Sequence, residues 1–442
     1  MKDQAAFKET LLCRVQARKA ALRRRKKILT ACTSFVLCLA LLTLILLRPA
    51  TVQATDLMRG IRPNQVAGEA PDDAFVTTQT DFALRLFQAC SRQTAAQNTL
   101  VSPLSVMLAL AMTANGAAGQ TKTEMEAVLG MPIEELNAYL HSYVNQLPNA
   151  RNAKIAIANS IWYKDDPSLH VQKEFLQTNA DYYDAAAYQG PFDDSTLQDI
   201  NNWTKENTNG MIDKAIDSID STAVMYLINA LVFDARWQWP YLDGSKVLNN
   251  RTFTAYDGTE QKVTMMTQTE GIYLEDGLAT GFIKHYEGGG YSFAALLPNE
   301  GVSIDDYVAS LTAEGLQATL DGAIRTKVVA SLPQFSYDYA LDMSDVLKQM
   351  GMPTAFNGGN ADFSTMGTCD EGNLFVRSLL HKTRINVNTR GTQAAAVSSV
   401  IMAPNAAPQG YVVKLDRPFV FLILDTATNI PIFIGTVLSI DQ

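Results

Sequence analysis

An α+β fold with several helices, large mixed or antiparallel sheets and one long exposed loop is predicted by three features of the sequence. Apolar residues recur at helical spacing between 81 and 129. From 155 to 440 the pattern changes to short runs rich in Val, Ile, Phe and Tyr. Neither a repeat period nor a shift of composition separates the two regions, so 74–442 reads as one domain. At 442 residues, 47% hydrophobic and 18% charged, the chain has the composition of a folded protein.

Residues 1–27 form a basic tail. Arg23-Arg24-Arg25-Lys26-Lys27 leads into 28–47, twenty uncharged residues rich in Leu, Ile, Val and Phe. As a helix this run spans roughly 30 Å, the thickness of a bilayer's hydrocarbon core. Five cations before it and Arg48 after it place the N-terminus in the cytoplasm and the body outside. A cleaved signal segment is the competing reading, because Val52-Gln53-Ala54 is a small-x-small site. The apolar run exceeds the roughly 7–15 residues of a signal core, which favours a retained anchor. Both readings export the body. Residues 48–73, with Pro49, Gly60, Pro63, Gly68 and Pro71, read as a linker.

A first helix is predicted over Asp81–Arg92, from Phe82, Leu84, Leu86, Phe87 and Cys90. Ser102-Pro103 opens a second, Ser as cap and Pro in the first turn, and Leu104–Ala114 is apolar nearly all round, which implies deep burial. A third runs from Thr121 to Leu129 and stops at Gly130. Strands are predicted at Ile155–Tyr163, Tyr226–Ala235, Tyr291–Leu297, Lys327–Leu332, Tyr411–Leu415, Phe419–Leu424 and Phe433–Ile440, the last two joined by a hairpin at Asp425–Pro431. Helical stretches at Leu197–Thr208, Ile304–Leu311 and Leu341–Met350 lie between them.

Charge and motifs narrow the function. Residues 1–54 carry a net charge of +9 and the remainder −18, so the body is acidic and no nucleic-acid partner is expected. The sequence has no G-x-S-x-G elbow, H-E-x-x-H, Walker loop, G-x-G-x-x-G or C-x-x-C. His141, His170, His285 and His381 show no spacing for a shared metal, and no cofactor, metal or catalytic residue is assigned. Cys90 and Cys369 are the only cysteines beyond the tail and anchor. They form one bridge or remain two thiols.

The most unusual stretch is 391–410. Thr392 to Ala403 are twelve residues without Gly, Pro or charge, whereas a surface loop normally holds all three. Taken alone, the stretch fits an exposed linker or an ordinary Ala-rich strand. It also suits a strand added inside a sheet: no proline deletes a ladder bond, no charge needs burying, and Thr392, Ala394, Ala396 and Ser398 are small. Such a strand is on the order of 40 Å long. Gly391 ahead of it supplies hinge freedom.

Seven segments in order then carry a resemblance. They are Asn98-Thr-Leu-Val-Ser102-Pro103-Leu-Ser105, Leu227-Ile-Asn229-Ala-Leu-Val-Phe233-Asp-Ala-Arg-Trp237, Leu332-Pro333-Gln-Phe335 and Leu347-x-x-Met350-Gly351-Met352. Ala361-Asp362-Phe-Ser364, His381-Lys382 ten residues before Gly391, and Arg417-Pro418-Phe419-Val-Phe421 with Phe433-Ile-Gly435 complete the set. From about Asp81 to Ile440 the chain resembles the serpin family, as an exported, bacterial-type member. The resemblance implies the serpin fold and a monomeric, suicide-type inhibitor rather than an enzyme. A serine protease cuts the reactive loop, and the acyl-enzyme is trapped in a covalent complex when the loop inserts into the main sheet.

The resemblance also assigns residues. Gly391, Thr392, Gln393, Ala394, Ala395 and Ala396 are the hinge. Asn98, Ser102, Ser105, Asn229 and His381 match a polar cluster under the sheet where its strands part, and Trp237 matches the tryptophan at the top of the opening. Two departures are visible: Thr389, Arg390 and Gln393 stand where acids are common, and the stretch to Pro418 is two residues long for the family. Counting fourteen on from Gly391 puts the scissile bond at Asn405–Ala406, with Ala406–Ala407 second. Counting back from Pro418 gives Ala407–Pro408, where the proline blocks most proteases. Val400 to Ala407 holds no Lys, Arg or large aromatic residue, so elastase-like or subtilisin-like proteases are the expected targets.

Overall fold

The computed structural model describes residues 54–148, 153–220, 223–241, 244–370, 372–392 and 410–440, with Asn229 and Ser245 described by backbone alone. The tail, the run 28–47, the hinge residues Gln393, Ala394, Ala395 and Ala396, and Asn405, Ala406 and Ala407 lie outside the described residues.

Among the described residues the chain begins with β1 (Thr55–Asp56), α1 (Asp73–Gln93), β2 (Leu100–Val101), α2 (Pro103–Ala114), α3 (Gly119–Leu129) and α4 (Ile133–Gln146). Next come β3 (Ala153–Lys164), β4 (Leu169–Val171), α5 (Lys173–Tyr183), β5 (Ala186–Gly190), α6 (Asp194–Asn207) and β6 (Met225–Arg236). Four strands follow, β7 (Val247–Thr254), β8 (Glu260–Glu275), β9 (Ala279–His285) and β10 (Tyr291–Pro298), then α7 (Ile304–Ser310) and α8 (Ala313–Asp321). The remainder is β11 (Ile324–Pro333), β12 (Phe335–Asp342), α9 (Ser344–Met350), β13 (Gly367–Cys369), β14 (Ser378–Val387), β15 (Gly391–Thr392), β16 (Tyr411–Lys414), β17 (Phe419–Asp425) and β18 (Pro431–Val437).

Two sheets organise these elements. The main sheet has the order β1-β5-β3-β6-β15-β14-β12. The second runs β16-β11-β8-β9-β10-β17-β18-β2, with β7 beside β8. Helix α2 packs on β3, β6 and β18 and so lies between the sheets, and all twelve of its residues are buried. An apolar helix without a polar face has no other stable place in water. The second sheet is nearly dry where β10, β17 and β18 meet, since every residue of those three strands is buried.

Local chemistry sets the boundaries. Helix α1 starts at Asp73, eight residues before the sequence reading, because Asp72 caps it by accepting from Phe75 N at 2.8 Å and Phe75, Gln79 and Thr80 extend its buried stripe. Helix α3 ends at Gly130, whose φ of +88° closes the last turn in a conformation that a side chain resists. The expected helix Leu341–Met350 divides: Leu341 and Asp342 end β12, whose burial alternates with period two, and α9 starts at Ser344. Helices α4, α5 and α8 and strands β5, β7, β8, β9, β12 and β14 were not anticipated. The hairpin was, and β17 and β18 pair antiparallel around Asp425.

The stretch 54–72, expected as a plain linker, is docked on the body. Strand β1 pairs with β5, and Leu57, Met58 and Ile61 pack against the core. Asn64 donates from N and Nδ2 to the Asp181 carboxylate. Cys90 and Cys369 are both free thiols. Cys90 Sγ lies 3.6 Å from Met343 Sδ and Cys369 Sγ 3.2 Å from Ser168 Oγ. Burial pushes the Cys90 pKa up to about 12, so it behaves as a small core side chain. Among the described residues no helix is long and apolar enough to cross a membrane.

Candidate functional site

The site is a slot in the main sheet. Strands β6 and β14 run parallel and pair directly over Tyr226–Ala230 and Ser378–Lys382. Above these rows they separate. Strand β14 ends at Val387, the chain turns through 388–390 with Asn388 N donating to Gly391 O at 3.0 Å, and β15 runs back between the two strands. Thr392 pairs with Val387 on one side and Ala235 on the other, and Gly391 pairs with Arg236. Between this wedge and the closed rows lie Leu231–Asp234 on β6 and Thr383–Asn386 on β14, facing each other without a described ladder partner across the gap. The chain therefore enters the slot by two residues and points along it.

Gly391 is required by space rather than by an unusual φ. A Cβ at this position would overlap Ala235 O and Arg236 Cα, so the wedge fits only without a side chain. Thr392 is 2% exposed, and its Oγ1 lies 2.6 Å from Tyr286 Oη. Tyr286 stacks on Trp237 at 4.5 Å. Trp237 Nε1 donates to Asn388 O at 2.8 Å and its backbone N to Arg390 O at 2.8 Å. Trp237 thus fastens the turn that leads into Gly391 and Thr392. Arg390 is exposed and Thr389 half-buried, and their carbonyls accept from Trp237 N and Tyr241 N. The two non-acidic replacements before the hinge are therefore held through backbone, which any side chain permits.

Beneath Trp237 sits a buried ion pair. Lys284 Nζ is 2.7 Å from Glu270 Oε1 and 3.1 Å from Trp239 O, and it lies over the Tyr241 and Trp237 rings. Burial pushes Glu270 up and Lys284 down, and each charge opposes the other's shift.

The polar cluster is only partly one group. His381 is 1% exposed, and its Nε2 accepts from Ser102 N at 3.2 Å. Burial drives the His381 pKa down to about 3, so the ring is neutral with its proton on Nδ1. His381 Nδ1 and Ser102 Oγ find no hydrogen-bond partner among the described side chains. Ser102 stands at the N-cap of α2, but its hydroxyl accepts no capping bond, contrary to the sequence reading, and its backbone N donates to the histidine. Ser105 is buried one turn on. Asn229 lies beside His381 in the β6–β14 register. Asn98 stands apart: its amide holds the chain end through Leu438 N, Ser439 N and Ser439 O.

Sequence reasoning missed Tyr286, Lys284, Glu270 and Asn159. Register reveals the last, because Asn159 of β3 pairs with Asn229, which pairs with His381, giving one polar row across three strands. Isolated polar residues in strands carry no such signal until pairing is known. Among the described residues no group of His, Cys, Asp or Glu is placed to hold a metal.

Residues 77–440 match the family described as serpin (serine protease inhibitor), and the chain belongs to that family. Serpin-ZXA of Oryza sativa subsp. japonica is 30% identical over 390 residues, covering 82% of this chain and 97% of its own. The crystal structure of the thermophilic serpin tengpin in the native state is 46% identical with a TM-score of 0.83, covering 88% of this chain and all of tengpin. Tengpin in the latent state is 44% identical with a TM-score of 0.76, covering 85% of this chain and all of that one. The fold is the serpin fold. Serpins are generally inhibitors directed at proteases rather than enzymes, and are often secreted or extracellular.

Proposed function

We propose that this protein is an exported, suicide-type inhibitor of serine proteases that works by reactive-loop cleavage, acyl-enzyme trapping and loop insertion. The observation that carries the reading is the slot already entered by Gly391 and Thr392. Continuing the β15 register without a gap sets Ala394 between Phe233 and Ile385, and Ala396 between Leu231 and Thr383. Ser398 then falls between Asn229 and His381. The described neighbouring side chains in these rows are buried, so the inward positions of the inserted strand are the small ones.

In this reading a protease serine attacks the carbonyl of Asn405, the amine of Ala406 leaves, and an ester joins the two proteins. Insertion of 392–403 then carries the protease away before water reaches the ester. Ala406–Ala407 is the second choice of bond. Small or medium side chains before the cut suit elastase-like or subtilisin-like pockets, and a trypsin-like pocket would hold an unpaired acid. The inhibitor acts as a monomer, attached to the membrane through 28–47. The bond from Ala54 N to the buried Asp199 carboxylate, 2.7 Å, supports an uncut chain at this point, since cleavage after Ala54 removes that donor.

The test is a denaturing gel after mixing the protein with an elastase-like protease and, separately, with trypsin. A band at the summed mass with the first enzyme alone is expected. Clean loop cleavage without a complex would replace this reading with a non-inhibitory carrier, chaperone or storage role. Rapid trapping of trypsin would overturn the specificity.

A further inference from the structure

A cavity of about 740 Å³ lies along β3 of the main sheet, between that strand, Leu108 of α2, α4, the end of α5, β5 and α6. Its volume is that of a small-molecule site rather than a packing fault. Its apolar lining comes from both faces of β3: Ile157 packs on the core that holds α2, and Tyr188 from β5 and Trp203 from α6 lie on the other face, with Tyr188 stacked on Trp162 at 4.6 Å. The carboxylates on the lining are Asp181, Asp184 and Glu206, and no Lys or Arg is among the lining residues. Asp181 is committed to Asn64 and Gln177. Asp184 and Glu206 are exposed and enter no ion pair among the described residues. Burial, and after it the charge of Asp56, hold the Tyr188 hydroxyl above its ordinary pKa.

We propose that this cavity binds a small organic cation, an ammonium or guanidinium group carried on a short apolar body. Aromatic faces attract a cation and bury its apolar part, and two uncommitted carboxylates at the mouth add Coulomb attraction. An anion of the same shape meets repulsion, and a neutral molecule gains burial alone. The cavity shares Asn159 with the polar row beneath the slot, but the aromatic residues and carboxylates invoked here belong to neither the slot nor the loop, so the test is separate from that of the inhibitory reading.

The full chain is titrated with phenethylamine, 2-phenylethanol and 3-phenylpropionate at low ionic strength, with binding read by calorimetry and by quenching of tryptophan fluorescence. Phenethylamine is expected to bind at least ~10-fold more tightly than the alcohol, with no binding of the carboxylate. The double variant Asp184→Asn, Glu206→Gln changes exposed residues only. It is expected to erase the amine's ~10-fold advantage and leave the alcohol's affinity and the melting temperature unchanged. Equal affinity for amine and alcohol, no binding of the amine at millimolar concentration, or an unaltered advantage in the double variant would each overturn the proposal.

Discussion

The two edges of β6 are held very differently. Toward β3 it is paired through eleven consecutive rows, from Ala153–Ala235 to Tyr163–Met225. Toward β14 it is paired through five, Tyr226–Ser378 to Ala230–Lys382, and then stands open until the wedge of Gly391 and Thr392. Each ladder bond contributes about 1 kcal/mol net, so the five-row seam is the one that yields first. The five-row seam also overlies the neutral His381 and the uncapped start of α2, with two buried polar atoms lacking described partners. One edge is built to persist and the other to part.

Four experiments sharpen or break that contrast, from the largest expected effect to the smallest. Cutting the chain at the proposed bond, Asn405–Ala406, is expected to let 392–403 fill the slot, adding a strand with ladder bonds on both sides and a buried face. The cleaved protein is expected to melt tens of degrees above the intact one in calorimetry. Equal melting temperatures would mean that the weak seam does not accept a strand.

Thr392→Arg is next. The residue is buried against Tyr286, and an unpaired guanidinium there costs on the order of several kcal/mol. Under the proposed mechanism the variant is expected to be cut as a substrate rather than to trap the protease, and the number of molecules consumed per protease should rise many-fold. An unchanged stoichiometry would contradict the route of entry through Gly391 and Thr392.

The pH response of the weak seam follows from His381. Its folded pKa, about 3, lies below the ordinary 6.5, so the unfolded chain binds the proton more tightly. Stability is then fully present above pH 6.5 and falls by about 1.4 kcal/mol per pH unit between 6.5 and 3. Urea unfolding across that range checks the slope, and His381→Gln is expected to flatten it. An equal slope in the variant would assign the acid sensitivity to other groups.

Trp237→Phe gives the smallest change. It keeps most of the stack on Tyr286 and removes the Nε1 bond to Asn388 O, a loss of about 1 kcal/mol. The turn 388–390 should loosen, seen as faster amide exchange of Asn388 to Gly391 with little change in melting temperature.

The sequence made some of this legible and not the rest, for physical reasons. Helix α2 was readable because Leu104–Ala114, apolar but for Ser105 and Thr113 and set behind Ser102-Pro103, can only be a buried helix, and β6, β10 and β17 because β-branched and aromatic runs have no alternative. Amphipathic α4 and α5 and the largely exposed β7 were lost, since their short alternations resemble surface chain. Gly391 and Thr392 were singled out by the run of small residues that follows them, whereas the structural reason for Gly391, steric closeness to Ala235, is a fact of pairing. Asn98 was grouped with His381 by resemblance, whereas its bonds tie down the chain end. Long-range contacts such as Lys284–Glu270 and Thr392–Tyr286 join residues that carry no local signal.

The central claim is that 392–403 fills the gap between β6 and β14, and hydrogen–deuterium exchange on intact and loop-cleaved protein tests it most directly. Amides of 231–234 and 383–386 facing the slot should exchange readily in the intact protein and become strongly protected after cleavage, while the eleven-row seam of β3 stays protected throughout. Unchanged exchange in 231–234 and 383–386 after cleavage would contradict the account.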